Sequence, residues 1–272
     1  MGLKITFAIL AVLCLLYARL ETRRIHIKEE ILFLSDMPTN LSGMRIGFIS
    51  DIHVDSKEDW NFYRAQLRAM ADMQPDVLLL GGDYSDSPAH MQRVLNEAGK
   101  LNVPILAGVR GNHDKCVDEA TFRAYMNCAG IATGFDEMFS FEFRGQSFAI
   151  AFLDDYELGE DRPERAFADA KSDQFTICLA HQPKSIRMLS EHDKQARVDL
   201  AFCGHTHAGQ VTFFGLWGVR TFRKIPLRSN QWVNLGHIKT LESNGLGQRW
   251  NIRFFAVPQI HLVTINASSL LK

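Results

Sequence analysis

The stretch Met44-Arg-Ile-Gly-Phe-Ile-Ser-Asp51-Ile-His53 places a short, mostly apolar run directly before an aspartate and a histidine. The run 44–50 predicts a buried β-strand, because it is short and bounded by turn-forming residues. A second apolar run, 76–80, ends in the same way at Gly81-Gly82-Asp83. Open α/β sheets carry their sites just beyond the carboxyl ends of the strands. The two stretches therefore indicate an α/β fold with a polar site at one sheet edge.

Three further motifs also follow predicted strands: Gly111-Asn112-His113-Asp114, Ala180-His181 and Gly204-His205-Thr206-His207. Strands are predicted over 24–34, 44–50, 76–80, 103–107, 140–144, 147–153, 174–179, 198–203, 210–214, 232–235 and 259–265. Helical spacing is present over 60–73, 88–99, 119–128 and 184–192. The early half alternates strand and helix, whereas the late half is rich in strands. This pattern predicts two packed sheets with helices outside.

The five motifs supply carboxylate, amide and imidazole groups, with almost no sulfur and no serine nucleophile. That donor set suits a pair of hard-to-borderline divalent metals. Two adjacent metals favour hydrolysis of a phosphate ester, because they stabilise both the attacking and the leaving oxygen. Side chains alternate along a strand, so Asp51 and His53 are predicted to face one metal, and His207 repeats this spacing from His205. Taken singly, each motif has an ordinary alternative: His181 fits a core or surface histidine, and Gly111-Asn112 fits a turn.

In this order the motifs resemble those of the calcineurin-like metallophosphoesterase superfamily, over nearly all of residues 44–265. The resemblance implies a four-layer αββα sandwich with a dinuclear metal site at the strand ends. It also implies that Asp83 bridges two metal positions. The implied ligands are Asp51, His53, Asp83 and His207 at the first position, and Asp83, Asn112, His181 and His205 at the second.

The resemblance further implies roles for two residues that do not bind metal. His113 would contact the scissile phosphate and protonate the leaving oxygen, and Asp114 would orient His113. The metals would make water available for in-line attack on phosphorus. Mixed nitrogen and oxygen ligation is compatible with manganese, iron, zinc or magnesium, and manganese is the expected metal for activity.

Finer details resemble a membrane-associated bacterial branch, the YkuE/YaeI-like phosphodiesterases. The supporting stretches are GGDY (81–84), AHQP (180–183), CGHTHAGQV (203–211) and NGLG (244–247), the last followed by Arg253-Phe254 and Val257-Pro258-Gln259-Ile260. Some relatives that resemble this chain cleave UDP-2,3-diacylglucosamine. We therefore expect a phosphate-ester substrate of lipidic character, such as this nucleotide-lipid or another membrane phosphodiester.

The segment after CGHTHAGQV is unusually aromatic and is followed by a basic cluster. Aromatic rings beside cations are typical of a lipid interface. The candidate substrate-binding residues are Phe213, Phe214, Trp217, Arg220 and Arg223. A buried hairpin with a solvated basic edge is the alternative.

Residues 1–20 are predicted to form a hydrophobic membrane anchor, since 5–18 are apolar except for Thr6. A cleaved signal peptide and a buried core helix are the alternatives. Four basic residues follow the apolar run: Arg19, Arg23, Arg24 and Lys28. The positive-inside rule therefore favours an inner-membrane protein whose catalytic domain, 21–272, lies on the cytoplasmic face.

Charge composition separates the remaining function classes. The chain has 30 basic and 31 acidic residues and a net charge of −1, whereas nucleic-acid-binding proteins are usually basic. A nucleic-acid partner is therefore not expected, although a nuclease or another phosphodiesterase of soluble substrates stays open as an alternative. A non-catalytic metal-binding scaffold is a further alternative, which the complete ligand set disfavours. The five cysteines are expected to be free thiols, and the sequence leaves the oligomeric state open.

Overall fold

The structure is a computed structural model that describes residues 2–159, 162–168, 170–171, 173–213, 217–218, 232–248 and 251–268. The helices within these residues are α1 (Gly2–Glu21), α2 (Lys57–Asp72), α3 (Pro88–Ala98), α4 (Glu119–Cys128) and α5 (Pro183–His192). The strands are β1 (His26–Leu34), β2 (Met44–Ile49), β3 (Val77–Leu80), β4 (Ile105–Gly108), β5 (Glu137–Phe143), β6 (Gln146–Phe152), β7 (Thr176–Leu179), β8 (Leu200–Cys203), β9 (Thr212–Phe213), β10 (Trp217–Gly218), β11 (Trp232–Leu235), β12 (Ile238–Glu242) and β13 (Gln259–Ala267).

Two mixed sheets form the centre of the domain. The first has the order β1-β13-β2-β3-β4, in which β13 pairs parallel with β1 and antiparallel with β2. The second has the order β11-β12-β8-β7-β6-β5, with a parallel centre and an antiparallel pair at each edge. Because β2, β3 and β4 are parallel, their carboxyl ends lie at the same edge.

Three apolar clusters hold the layers together. The cluster between the sheets contains Phe48 from the first sheet and Phe152 and Phe202 from the second, all fully buried. A second cluster packs α2, α3 and α4 against the outer face of the first sheet, and a third packs α5 against the second sheet. Helical residues such as Leu67 and Ile186 are buried in these outer clusters. The predicted α/β class with two packed sheets is confirmed.

Helix α1 differs from the others because most of its described apolar side chains are exposed; Phe7 is 65% and Leu20 is 74% exposed. Among its described residues, α1 packs on the domain at its carboxyl end, where Ala18 and Glu21 are buried. In the described part of the chain, no helix is both long and apolar enough to cross a membrane.

Most predicted elements lie within a few residues of the observed ones, and α4 matches its predicted bounds. Two strands were missed: β10, which has only two residues, and β12. Strand β12 follows Leu235 after a turn in which Gly236 has φ 65°, so the predicted strand 232–235 is the first half of a hairpin. All five cysteines are free thiols, as expected.

Candidate metal centre

The backbone at five of the seven predicted ligands is left-handed rather than extended. The φ angles of Asp51, His53, Asp83, His205 and His207 are 53°, 46°, 57°, 71° and 50°. Strand alternation therefore does not bring Asp51 beside His53, and that part of the sequence interpretation is wrong. Non-glycine residues in this region each cost on the order of 1–3 kcal/mol and occur where surrounding contacts hold them, often at functional sites.

The first group of donor atoms lies between the loops that follow β2, β3 and β8. Asp51, His53, Asp83 and His207 are all buried, and one donor atom from each lies within 4.8 Å of the others. Nε2 of His53 is 3.3 Å from Nε2 of His207 and 3.4 Å from Oδ2 of Asp83. Nε2 of His207 is 3.6 Å from Oδ1 of Asp51. The predicted ligands of the first metal position therefore come together around one point.

The second group lies on the other side of Asp83. Nε2 of His181 is 3.3 Å from Oδ2 of Asp83 and 3.2 Å from Oδ1 of Asn112. Nδ1 of His205 is 3.1 Å from Oδ1 of Asn112 and 3.2 Å from Nε2 of His181. The same carboxylate oxygen of Asp83 thus faces ring nitrogens of both groups, as a bridging ligand requires.

The donor spacing fits divalent metal ions. Two ligands that each lie about 2.0–2.2 Å from a metal are roughly 3–3.5 Å apart at ordinary coordination angles. The donor spacings given above lie between 3.1 and 3.4 Å, except for the 3.6 Å between His207 and Asp51. The ring nitrogens of His53 and His207 face each other, and both side chains are buried. Carboxylate, amide and imidazole donors together suit manganese, iron or zinc.

Several hydrogen bonds orient these ligands. Nδ1 of His181 donates to the carbonyl oxygen of Gly81 at 2.8 Å, which leaves Nε2 free to bind a metal. The hydroxyl of Ser50 donates to Oδ2 of Asp51 at 2.5 Å. The backbone N–H of His113 donates to Oδ1 of Asp83 at 2.9 Å, so that Oδ2 remains directed at the two groups.

Asp114 does not orient His113, contrary to the expectation from the sequence. Its buried carboxylate accepts hydrogen bonds from the backbone N–H groups of Asp83, Tyr84 and Gly111, at 2.9, 2.8 and 2.7 Å. A carboxylate occupied by three N–H groups ties the Gly82-Asp83 loop to the Gly111-Asn112 loop. Asp114 therefore supports the backbone of the centre.

The carboxylate beside His113 belongs to Asp86, which the sequence analysis missed. Oδ1 of Asp86 lies 2.8 Å from Nδ1 of His113, and Asp86 is on the exposed side of the site. The ring of His113 contacts that of His53 edge-on, with centroids 5.1 Å apart. His113 thus lies beside the first metal position without joining its donor group. The only signal in the sequence was an acidic residue three positions after Asp83 in the same loop.

Burial and charge set the protonation of the centre. Burial alone would raise the pKa of Asp83, but the charge of His181 and a hydrogen bond from it hold that pKa well below its usual value. Burial lowers the pKa of His53. Burial also raises the pKa of Asp114 to about 8, and the charge of Asp83 adds to this effect. Asp83 is therefore ionised and His53 neutral near pH 7, which are the forms that bind metals. Burial lowers the pKa of His181, but the charge of Asp83 and a hydrogen bond to it raise that pKa to about 10, so a metal bound by His181 would displace a proton.

The acidic pair at the end of β6 lies beside the centre. Asp154 accepts two hydrogen bonds from the guanidinium of Arg110, at 2.6 and 2.7 Å. Asp155 is fully buried, and burial raises its pKa. Arg110 immediately precedes the Gly111-Asn112 loop, so this ion pair fixes the base of the loop.

The predicted aromatic and basic segment is only partly described. Phe214, Arg220 and Arg223 lie outside the described residues. The backbones of Phe213 and Trp217 pair in a short antiparallel hairpin formed by β9 and β10. Their assignment to substrate binding stays a prediction.

A family model described as calcineurin-like phosphoesterase matches residues 44–209, which include every residue of the two donor groups. The chain belongs to this family of metallophosphoesterases.

Relatives of the chain are found in Bacillus subtilis (strain 168) and Escherichia coli (strain K12). YpbG of B. subtilis is 29% identical over 88% of this chain and 87% of its own length. The B. subtilis metallophosphoesterase YkuE is 27% identical over 93% of this chain and 90% of its own length. Phosphodiesterase YaeI of E. coli is 25% identical over 68% of this chain and 67% of its own length. The chain is thus a phosphoesterase that resembles the YkuE and YaeI branch along most of its length.

Proposed function

We propose that the protein is a dinuclear metal-dependent phosphodiesterase. The observation that carries this proposal is the position of Oδ2 of Asp83, which is 3.4 Å from a ring nitrogen of His53 and 3.3 Å from one of His181. A single carboxylate oxygen between two donor groups suits two adjacent cations. Bound metals would supply Lewis-acid stabilisation of the phosphoryl oxygens and a nucleophile at neutral pH.

The residues around the centre divide the remaining work. Asp51, His53 and His207 would hold one metal, and Asn112, His181 and His205 the other, with Asp83 shared. When both ring nitrogens of His113 carry a proton, Nδ1–H would donate a hydrogen bond to Asp86 and Nε2–H would be available to protonate the leaving oxygen. Asp114 keeps the Asp83 and Asn112 loops at a fixed separation.

Hydrolysis of bis(p-nitrophenyl) phosphate by the full-length protein with added manganese tests the reaction class. Asp83→Ala is the blank, because it removes the ligand shared by both groups. Manganese-dependent release of p-nitrophenol by the native protein alone supports the proposal. A native protein that binds no metal, or that binds two ions without hydrolysing the diester or its monoester, would exclude this function.

For the physiological substrate, we propose a membrane-associated phosphodiester or pyrophosphate-linked lipid such as UDP-2,3-diacylglucosamine. The resemblance to the YkuE and YaeI branch and the aromatic sequence 213–217 support this choice. Release of UMP from UDP-2,3-diacylglucosamine, compared with hydrolysis of the nitrophenyl diester, tests it. Cleavage of the simple diester without any UMP release would exclude this lipid and retain the reaction class.

The aromatic segment offers a second test of the lipid proposal. Deletion of residues 213–219 is expected to reduce turnover of a lipid substrate much more than turnover of the nitrophenyl diester. The reason is that rings at a lipid boundary position an amphiphile but do not contribute to the chemistry at phosphorus. Equal losses on the two substrates would contradict a role in lipid binding.

We also propose that the N-terminal segment attaches the protein to the inner membrane with the catalytic domain on the cytoplasmic face. The exposed apolar side chains of α1 and the basic residues that follow it support this proposal. Fractionation of cells that express the full-length chain tests attachment, and protease access from the outer side of spheroplasts tests the orientation. Recovery of the full-length protein in the soluble fraction would exclude attachment.

A further inference from the structure

Among the residues that the structure describes, Arg253 is the largest fully buried side chain. It follows the Asn244-Gly245-Leu246-Gly247 segment and lies near the first metal position. A buried guanidinium is costly unless hydrogen bonds and charges compensate it. Burial lowers the pKa of Arg253 to about 10, so the group is still charged at pH 7. The hydrogen bonds of the guanidinium therefore indicate which part of the structure the buried charge stabilises.

The guanidinium of Arg253 binds the backbone of residues 244–247 and also contacts the predicted metal ligand His207. Nη2 of Arg253 donates to the carbonyl oxygens of Asn244, at 3.0 Å, and of Gly247. The same atom lies 3.3 Å from Nδ1 of His207, whose Nε2 faces the first metal position. Arg253 thus contacts His207 on the side of the ring opposite the metal.

Residues 244–247 pack directly on Asp51, another predicted ligand of the first metal position. The N–H of Gly247 donates to the carbonyl oxygen of Asp51 at 2.6 Å, and the N–H of Leu246 donates to that of Ser50 at 2.8 Å. A Cβ on Gly245 would lie 2.6 Å from Cβ of Asp51, so the contact leaves no space. By holding this segment, Arg253 fixes the positions of two ligands of the first metal.

Residues 253–256, here called the Arg253 segment, are bound on their other side to the carboxyl end of α1. The buried carboxylate of Glu21 accepts hydrogen bonds from the N–H groups of Phe255, at 3.0 Å, and Ala256, at 2.6 Å. The carbonyl of Ala256 in turn accepts from Nη1 of Arg253 at 2.7 Å. The N–H of Arg253 donates to the carbonyl oxygen of Ala18 at 3.0 Å. A continuous set of contacts therefore joins α1 to His207.

We propose that Arg253 is a positioning residue for the first metal position, and that Glu21 couples this position to the docking of α1 on the domain. The inference rests on the proposed dinuclear centre and adds a device that makes metal binding depend on the N-terminal helix. The second position, formed around His181, has no described contact with Arg253, so the effect is confined to one of the two sites.

The charge of Arg253 and the positions of its hydrogen-bond donors are expected to affect metal affinity in opposite directions, so a substitution can separate the two effects. A nearby cation opposes metal binding, so loss of the charge alone would strengthen it. Arg253→Lys keeps the charge and removes the planar set of donors, so any weakening reports lost positioning. Outer residues that orient metal ligands typically contribute about 10- to 100-fold to metal affinity.

The experiment is a Mn²⁺ titration of the metal-free full-length protein. Calorimetry measures the affinities, and electron paramagnetic resonance reports whether the bound ions are spin-coupled. The native protein is expected to bind two ions and give the signal of a spin-coupled pair. Arg253→Lys is expected to weaken one site by about 10- to 100-fold, leave the other unchanged, and give an uncoupled Mn²⁺ signal at intermediate loading. Glu21→Gln, which keeps the side-chain shape, is expected to weaken the same site.

Asp59→Asn is the matched control for Glu21→Gln. Asp59 also binds the end of the N-terminal region, through Arg23 at 2.8 Å, but it does not touch the Arg253 segment. Native-like metal affinity in this variant, with weakening in Glu21→Gln, supports the coupling. If Arg253→Lys does not fold, as judged by circular dichroism, the comparison of Glu21→Gln with Asp59→Asn decides.

Two results would overturn the inference. Native affinity at both sites in folded Arg253→Lys would exclude the positioning role. Equal affinities in Glu21→Gln and Asp59→Asn would exclude the coupling through Glu21. Both results require a native protein that binds two ions, whereas failure of the native protein to bind them would instead contradict the proposed function.

Discussion

Oδ1 of Asp86 lies 2.8 Å from Nδ1 of His113, and this pair stands beside the first group of metal-binding donors. The carboxylate holds Nδ1 and thereby orients the ring, so that in the proposed reaction Nε2 is the nitrogen that would protonate the leaving oxygen. Asp114, the sequence neighbour of His113, instead binds backbone N–H groups of two loops. The pair therefore defines the proton donor of the proposed reaction.

Replacement of His113 by asparagine should lower kcat and leave metal binding intact. General-acid assistance typically contributes about 10²- to 10⁴-fold. The loss should be larger for a diester with a poor leaving group, such as a phenyl ester, than for the p-nitrophenyl ester, because a good leaving group needs little protonation. Steady-state kinetics on both esters and a Mn²⁺ titration check this. A uniform loss on the two esters would contradict the proposed role of His113.

Replacement of Asp86 by asparagine should produce a smaller loss with the same dependence on the leaving group. The amide oxygen can still accept from Nδ1, but the negative charge that supports the donor is removed. We expect a decrease in kcat of about tenfold, less than that from removal of the acid itself. Asp55→Asn, a change at a neighbouring carboxylate that binds Ser85, serves as the control. Native kcat in Asp86→Asn would show that the pair has no catalytic role.

Gly111→Ala should disrupt metal binding because the added methyl group has no space. Its Cβ would lie 2.6 Å from the backbone nitrogen of Asp83 and would displace the shared ligand. Overpacking of this kind costs about 1–3 kcal/mol, and the shift of Asp83 adds a loss of metal affinity. Calorimetric titration with Mn²⁺ and thermal unfolding measure the two effects.

Gly130→Ala is a control for general glycine effects. Gly130 has φ 70° and no atom within 4 Å of an added Cβ, so its replacement introduces backbone strain without a clash. A small loss of stability with unchanged Mn²⁺ affinity is expected. If Gly111→Ala binds Mn²⁺ as tightly as Gly130→Ala does, the close packing between Gly111 and Asp83 is not required.

The buried His261 should make the protein less stable in mild acid. Burial lowers its pKa from 6.5 to about 3, so between these values the unfolded chain binds a proton that the folded protein does not. Stability from this residue is therefore complete above pH 6.5 and falls by about 1.4 kcal/mol for each pH unit below it. Urea unfolding at pH 7.5 and pH 5.5 should show a smaller decrease in His261→Gln than in the native protein. The exposed His192→Gln should behave as the native protein does; equal pH dependence in all three would contradict the prediction.

The grouping of the predicted metal ligands could be predicted from the sequence because parallel strands end at one sheet edge. Asp51, Asp83 and Asn112 follow β2, β3 and β4, so their proximity is a property of the sheet. The local conformation could not be predicted in this way. A D-x-H spacing is compatible with an extended backbone, and only the surrounding loops hold Asp51 and His53 at positive φ.

The sequence gives little indication of residues whose proposed roles depend on tertiary contacts. Asp86 lies in a loop whose path decides that it meets His113 rather than solvent. Arg253 and Glu21 are more than 200 positions apart, and Glu21 lies in a segment that the sequence associates with apolar character. The strand β12 was missed because its turn at Gly236 follows a short strand that appears complete by itself.

The position of β13 between β1 and β2 has a consequence for biosynthesis. The first strand pairs only with the last one within its sheet, so β1 has no partner until residues 259–267 have left the ribosome. During translation the edges of β1 and β2 that pair with β13 in the folded protein stay exposed. Such unpaired edges can pair with strands of other chains and promote aggregation. Ribosome stalling before residue 259 would therefore leave a chain that contains all seven predicted metal ligands but cannot close the sheet that carries four of them.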